Sequence, residues 1–434
     1  MIRFNTLFSL AFVFTSLLAT AVSAVEIQQV RSAKGINALL VEDYTLPILA
    51  MTFSFAGGST QDPAGKEGTA RLMTSLFDEG AGELDSVSFR SKLEENGIEL
   101  GFSVGREQLS VSLRTLVQKQ DIAFDLLKTA LISPRFDISA LERMRDAIRT
   151  GLKRGKTDPN TQAGKVLRES LFPDHAYSRP VSGTLESIDS INIDDVEAMH
   201  RKLVTRGDLT IGVVGAISPE ELTKILDKLF GDISAQSDLQ KVADIDPSLD
   251  QEVVLNMPVP NTSITVVYPG VKRNDPDFFA AHIMNHILGG GSFTSRLYEE
   301  VREKRGLTYG IYSQMATFDH TAYLSASTST RASNRDETIK VIQEEITKMA
   351  KNGATQEELD QAKKFIKGAY AINNLDTSSK IARVLVAIQN QDLGIDYIDT
   401  REAVIDAVTL EDVNQIAKRL LSKAPTRVIV GPTD

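Results

Sequence analysis

The stretch IDDVEAMHRKLVTRGDLTIGVVG, from Ile193 to Gly215, decides the architecture, because it returns near the end of the chain. The second copy reads LEDVNQIAKRLLSKAPTRVIVG, from Leu410 to Gly431. Each opens on acidic residues, Asp194/Asp195 or Glu411/Asp412, ahead of an amphipathic helical pattern. Negative charge there complements the positive end of a helix. Each closes on a β-rich run ending in glycine, Leu209 to Gly215 or Arg427 to Gly431. A second echo lies upstream. Ile138-Ser139-Ala140-Leu141-Glu142 opens one long helical pattern, and Thr355-Gln356-Glu357-Glu358-Leu359 opens another. Thr355 and Glu358 have capping-box spacing. The offset, 355 − 138, is about 217 residues, longer than a solenoid repeat.

The copies also begin alike. Ile48 to Ala56 is a strand-like run leading to Gly57-Gly58-Ser59, and Ser263 to Tyr268 is one leading to Pro269-Gly270. A helix follows each, from near Lys66 and near Asp277. Gln108 to Leu113 and Ala322 to Ser327 nearly alternate, which suits antiparallel sheets with one face packed by helices. Ser, Asp and Pro rise between Ile233 and Gln251, which reads as a linker. The expected fold class is α+β, with two homologous domains, each a mostly antiparallel sheet packed with helices. They span residues 25–240 and 241–434.

Residues 1–24 read as a signal peptide. Arg3 precedes an apolar run from Leu7 to Leu18, and Val22-Ser23-Ala24 offers a cleavage site after Ala24. The apolar run is short for a membrane span, and no later segment reaches that length. The chain has no cysteine, so neither a disulfide framework nor a lipidated cysteine is available. Export without disulfides fits a periplasm. The net charge is −10 over 434 residues; Arg3 is the only charged side chain in the first 24, so the mature chain carries −11. That balance argues against nucleic acid as a partner.

GGGSFTSRLYEEVREKRGLTY, Gly289 to Tyr309, concentrates the chemistry. Three glycines relax the backbone before a segment mixing apolar and charged residues. The run lacks the Gly-Lys-Ser/Thr ending of a phosphate loop. Arg296, Glu299, Glu300 and Glu303 have helical partner spacing and suit a solvated face. Arg302 and Tyr309, seven apart across Gly306, can both donate to a carbonyl oxygen or oxyanion where a helix gives way to a strand. His282 and His286 have i,i+4 ligand spacing, but no carboxylate lies between them and no third ligand is near, so a packing or capping role is expected. His200 reads as structural, and His175 and His320 as loop residues.

LGGGSFTSRLYEEVREKRGLTYGIYS, Leu288 to Ser313, resembles the C-terminal-domain signature of the M16 peptidases, the family of pitrilysin and the mitochondrial processing peptidase. The resemblance extends over Gly57-Gly58-Ser59, Asp62-Pro63-Ala64-Gly65-Lys66-Glu67-Gly68 and Phe172-Pro173-Asp174-His175-Ala176-Tyr177. It implies the short subfamily, in which two two-domain chains enclose one chamber. It places the family's substrate-binding arginine and tyrosine on Arg302 and Tyr309. Active members carry His-x-x-Glu-His on the first helix. Here the two ligand positions fall on Arg71 and Ser75 and the general-base position on Thr74. A guanidinium presents donors only and cannot ligate zinc. The distal ligand glutamate would come from the helix holding Leu141 to Gly151, whose second half offers Arg149, Thr150 and Gly151, with Asp146 near the middle the acidic exception.

The resemblance therefore implies a chain that binds no metal itself: the non-catalytic subunit of a heterodimeric periplasmic zinc peptidase. A homologous partner with His-x-x-Glu-His would hold Zn2+, and Arg302 and Tyr309 would act on a peptide or unfolded polypeptide. The alternative is a homodimeric peptide-binding or assembly protein without peptidase activity.

Overall fold

The computed structural model describes residues 26–432, so the signal-peptide reading lies outside the described residues. In the first half the strands are β1 (Gln28–Arg31), β2 (Asn37–Glu42), β3 (Ile48–Ala56), a small hairpin of β4 (Gly80–Ala81) and β5 (Leu84–Asp85), β6 (Glu99–Val104), β7 (Gln108–Leu116) and β8 (Leu209–Gly215). Its helices are α1 (Thr69–Thr74), α2 (Ser86–Glu95), α3 (Gln120–Ile132), α4 (Ile138–Gly155), α5 (Pro159–Leu171), α6 (Leu185–Ser190), α7 (Ile193–Leu203) and α8 (Pro219–Phe230). The second half has β9 (Glu252–Asn256), β10 (Asn261–Pro269), β11 (Thr308–Thr317), β12 (Ala322–Arg331) and β13 (Thr426–Gly431). Its helices are α9 (Phe278–Asn285), α10 (Arg335–Asn352), α11 (Gln356–Asn374), α12 (Ser378–Asn390), α13 (Tyr397–Ala407) and α14 (Leu410–Leu421).

The echoed segments become the same unit twice, α7–β8 and α14–β13. Asn192 and Thr409 cap the two helices, each reciprocated three residues on by Asp195 or Asp412. Each capping pair satisfies helix-end amides that would otherwise lack partners. β3 and β10 are buried almost end to end because each lies inside its sheet. The strand orders are β1-β2-β8-β3-β7-β6 and β11-β12-β10-β13-β9. All pairings are antiparallel except β2 with β8 and β13 with β9. The fold is α+β, with two domains that are each a mostly antiparallel sheet packed against helices.

One face of the first sheet packs on α1, α3, α7 and α8 through a core including Phe53, Phe55, Phe77 and Phe230. The second sheet repeats this with α9, α10 and α14 around Ile264, Val266 and Ile342. The other faces exchange helices between the halves. α12, from the second half, lays Ala382, Leu385 and Ile388 on Leu39, Val41 and Val214 of the first sheet. α5, from the first half, lays Ala163, Val166 and Leu167 on Val428, Val430 and Val253 of the second. Gly212 on β8 permits the approach: a Cβ there would stand 2.4 Å from the Ala382 carbonyl oxygen. Between Phe230 and Glu252 there is no helix or strand. This segment is tied down, with the Gln240 amide donating to Gln61 at 2.8 Å and that of Ile245 to the His320 carbonyl at 2.9 Å.

Candidate functional site

The Asp-Pro-Ala-Gly approach shapes the start of α1. Buried Asp62 accepts from the amides of Gly68 and Ala70, both at 2.8 Å, and so caps the helix. Burial pushes its carboxyl up to about 7, against the pull of those two amides and of Arg179. Along the helix, Arg71 points outward and is exposed. Thr74 donates its hydroxyl back to the Ala70 carbonyl at 2.7 Å, and Ser75 donates to that of Leu72 at 2.7 Å. Both hydroxyls are thus spent on their own helix.

The acids of α4 are committed to arginines, Glu142 to Arg145 and Asp146 to Arg149. Arg149 pairs with Asp146 and Asp189, Thr150 donates to the Asp146 carbonyl at 2.8 Å, and Gly151 faces open space. What ties α4 to the end of the α1 region is an ion pair. Glu79, 2 % exposed, accepts from Ser86 at 2.7 Å and pairs with Arg90 and with Arg143 of α4. Among the described residues no group of three His, Cys, Asp or Glu side chains comes together that could hold a metal. The residue types at this place do not fit zinc: a cation, two committed hydroxyls, and carboxylates already paired with arginines.

The Gly289–Tyr309 stretch is built differently from a ligand loop. Its glycines make room for the protein itself. A Cβ at Gly289 would meet the Ser313 backbone nitrogen at 2.9 Å, and one at Gly291 the His286 carbonyl at 2.8 Å. The backbone is π-helical over His286–Gly290 and again over Tyr298–Glu303, a form frequent at functional sites. The reading of Arg296 as solvated surface is corrected: it makes a two-point pair with Glu358, which reciprocates the Thr355 cap of α11, at 2.6 and 2.7 Å. Such a fork-to-fork pair fixes the segment's orientation.

Arg302 leaves the second π-turn half-buried. Its guanidinium lies 4.7 Å from the Tyr298 ring centre and donates to exposed Glu303 at 3.0 Å. Gly306, at φ 62°, turns the chain into β11. There a register shift between Thr308 and Ile311 disturbs the pairing with β12, and such irregularities re-aim side chains. Tyr309 falls inside the shift, on the sheet's edge strand, and is 92 % exposed. Arg302 and Tyr309 make no hydrogen bond to each other.

Each histidine is hydrogen-bonded or packed against an aromatic ring. His200 is hydrogen-bonded to the Leu131 carbonyl at 2.8 Å, and its burial holds its pKa down. His175 accepts from the Tyr177 amide at 3.1 Å, and His320 meets Asp244 at 2.9 Å. His282 stacks on Phe278, and His286 packs against Phe365 at a tilt of 31°. Sequence reasoning missed a groove of about 740 Å³ between α12 and the outer face of β3, β7 and β6. Thr52, Ser110, Ser112 and Gly101 line its floor, with Arg383 and Asn390 on its wall. The small hydroxyl residues alternate along the strands and could have signalled an open polar face, but its wall comes from the other half of the sequence.

A twofold-repeated α+β chain with exchanged helices, whose first helix presents no metal-ligating cluster among the described residues, defines the class. The chain belongs to the M16 peptidase family: residues 39–185 match the family's insulinase (peptidase family M16) model and residues 190–366 its peptidase M16 inactive domain model. It is 27 % identical to the non-peptidase homolog YmxG of Helicobacter pylori, over 85 % of this chain and 84 % of that one. It is 23 % identical to an uncharacterized zinc protease of Streptomyces coelicolor, over 86 % of this chain and 83 % of that one. A crystal structure of a peptidase M16 inactive domain from Pseudomonas fluorescens superposes with a TM-score of 0.88 at 29 % identity, covering 94 % of this chain and 98 % of the other.

Proposed function

We propose that this chain is the non-catalytic subunit of a heterodimeric M16 peptidase acting in the periplasm. Its units are residues 25–240, with the degenerate zinc site, and 241–434, with the Arg/Tyr motif. A homologous partner with His-x-x-Glu-His would hold the zinc. Arg302 and Tyr309 would hold a substrate carbonyl and stabilise its developing oxyanion as hydrogen-bond donors. One observation carries the reading. Arg71, Thr74 and Ser75 offer no side chain that suits a zinc ligand, while Tyr309 stands 92 % exposed and Arg302 half-buried, on either side of the turn at Gly306. Packing supplies no reason to keep a phenol there.

The test is to co-purify the chain with a zinc-motif homologue, quantify zinc and assay peptide hydrolysis. The chain alone should be inactive and hold no stoichiometric zinc; the mixture should hydrolyse peptide. Arg302→Ala should lower turnover in the mixture and leave assembly intact. Unchanged turnover would sink the direct role. Peptide binding by a self-associated chain, with no such partner recovered, would favour the assembly-protein reading instead. The non-peptidase description of the H. pylori relative is compatible with both.

A further inference from the structure

α9 follows β10 as α1 follows β3, and it carries His282 and His286 at ligand spacing. The charges around them oppose a cation. Arg401 of α13 is 5 % exposed, and its Nε and Nη1 have no hydrogen-bond partner among the described residues. Its one contact of that kind, from Nη2 to the Ile366 carbonyl, is long at 3.5 Å. The guanidinium lies 3.9 Å from the Tyr370 ring centre. Arg273 is close by. It donates to the Tyr397 hydroxyl at 2.7 Å and lies 4.2 Å from the Phe278 ring centre. No ion pair to a carboxylate is made by either arginine among the described residues, and the acidic neighbours on α13, Asp399 and Glu402, are exposed.

Burial drives His282 down to about 4, and Arg401, His286 and Arg273 push the same way. The histidine is therefore neutral at physiological pH. The Tyr370 ring face offsets part of the buried charge, and an anion would satisfy both idle donors and the remaining charge at once. Arginine's planar fork matches a carboxylate or phosphate. Arg273, His282, Tyr370 and Tyr397 are half-buried and form the rim. We infer that Arg401, with Arg273, His282 and the Tyr370 hydroxyl, forms a binding site for an oxyanion, either a free one or the carboxylate of a polypeptide. The site does not depend on the peptidase reading above.

The test compares thermal unfolding of the mature chain in sodium chloride, phosphate and acetate at matched ionic strength and pH 7. Phosphate also stabilises proteins generally by exclusion from their surface, so the readout is the increment that Arg401→Met abolishes. The wild type should gain at least about 2 °C more than the variant in phosphate or acetate. Equal increments would overturn the site. Should Arg401→Met fail to fold, Arg273→Gln on the rim serves in its place: calorimetric affinity for phosphate should fall about ten-fold or more, and unchanged affinity would overturn the proposal. A short peptide that competes with phosphate when its C-terminus is free but not when amidated assigns the site to chain ends. Phosphate binding without such competition assigns it to small anions.

Discussion

Replacing Leu385 with alanine should destabilise the first sheet, although Leu385 belongs to the second half of the sequence. The side chain is wholly buried on α12, against Leu39, Val41 and Val214. Leucine-to-alanine changes in cores cost about 2.7–5 kcal/mol, the larger values where the surroundings cannot collapse into the space. Here the floor is β8 backbone: a Cβ at Gly212 would stand 2.7 Å from that of Leu385. A sheet strand paired on both sides cannot move to fill the gap, so the expected cost is about 4 kcal/mol. That is a large share of a domain's usual stability. Urea unfolding should show the loss as a lower midpoint in one transition, and amide exchange should rise in β3 and β8. A loss below about 1 kcal/mol, or faster exchange confined to the second half with β3 and β8 still protected, would refute the exchanged-helix account.

Gly212→Ala should damage the same contact by overpacking, costing about 1–3 kcal/mol in the same urea measurement. Glu79→Gln should cost about 1–2 kcal/mol at neutral pH, because it weakens two charge-assisted hydrogen bonds while Arg90 and Arg143, each about half exposed, stay solvated. Burial alone would raise the Glu79 carboxyl, but Ser86, Arg143 and Arg90 hold it below the usual range. Its contribution is therefore present above the ordinary carboxylate pKa and lost as pH falls through the folded value, and an acid titration of stability in wild type and variant would show the difference vanish. His282 is held near 4 against an ordinary 6.5. The unfolded chain then binds more protons between those values, so stability should fall by up to about 3 kcal/mol as pH drops from 6.5 to 4. His282→Phe should flatten that fall, and an unchanged slope would exclude the histidine. Tyr309→Phe, in the peptidase mixture, should lower kcat more than KM, since a donor needed at the oxyanion contributes mainly in the transition state.

The repeated halves were legible because each repeat carries its own local instructions. The capping residues of α7 and α14 and the apolar runs of β8 and β13 work within a few residues of chain. The metal-incompatible residue types at Arg71, Thr74 and Ser75 were legible for the same reason. The Gly289–Gly291 run was legible as special but not in purpose, since Ser313 and His286, which it makes room for, approach only in the folded state. Arg296 read as surface because its partner, Glu358, lies 62 residues away.

Sequence by itself determined the two α+β units, the order of their elements and the chemistry absent from the first helix, all matters of residue type and short-range periodicity. Tertiary structure decided the exchange of α5 and α12, the exposure of Tyr309 at an irregular sheet edge and the burial of Arg401 without a counter-charge. These depend on which distant surfaces meet, and neither spacing nor composition encodes that. A helix carries the same amphipathic pattern whether it covers its own sheet or its neighbour's. An arginine likewise has no partner or lack of one until the whole chain has packed around it.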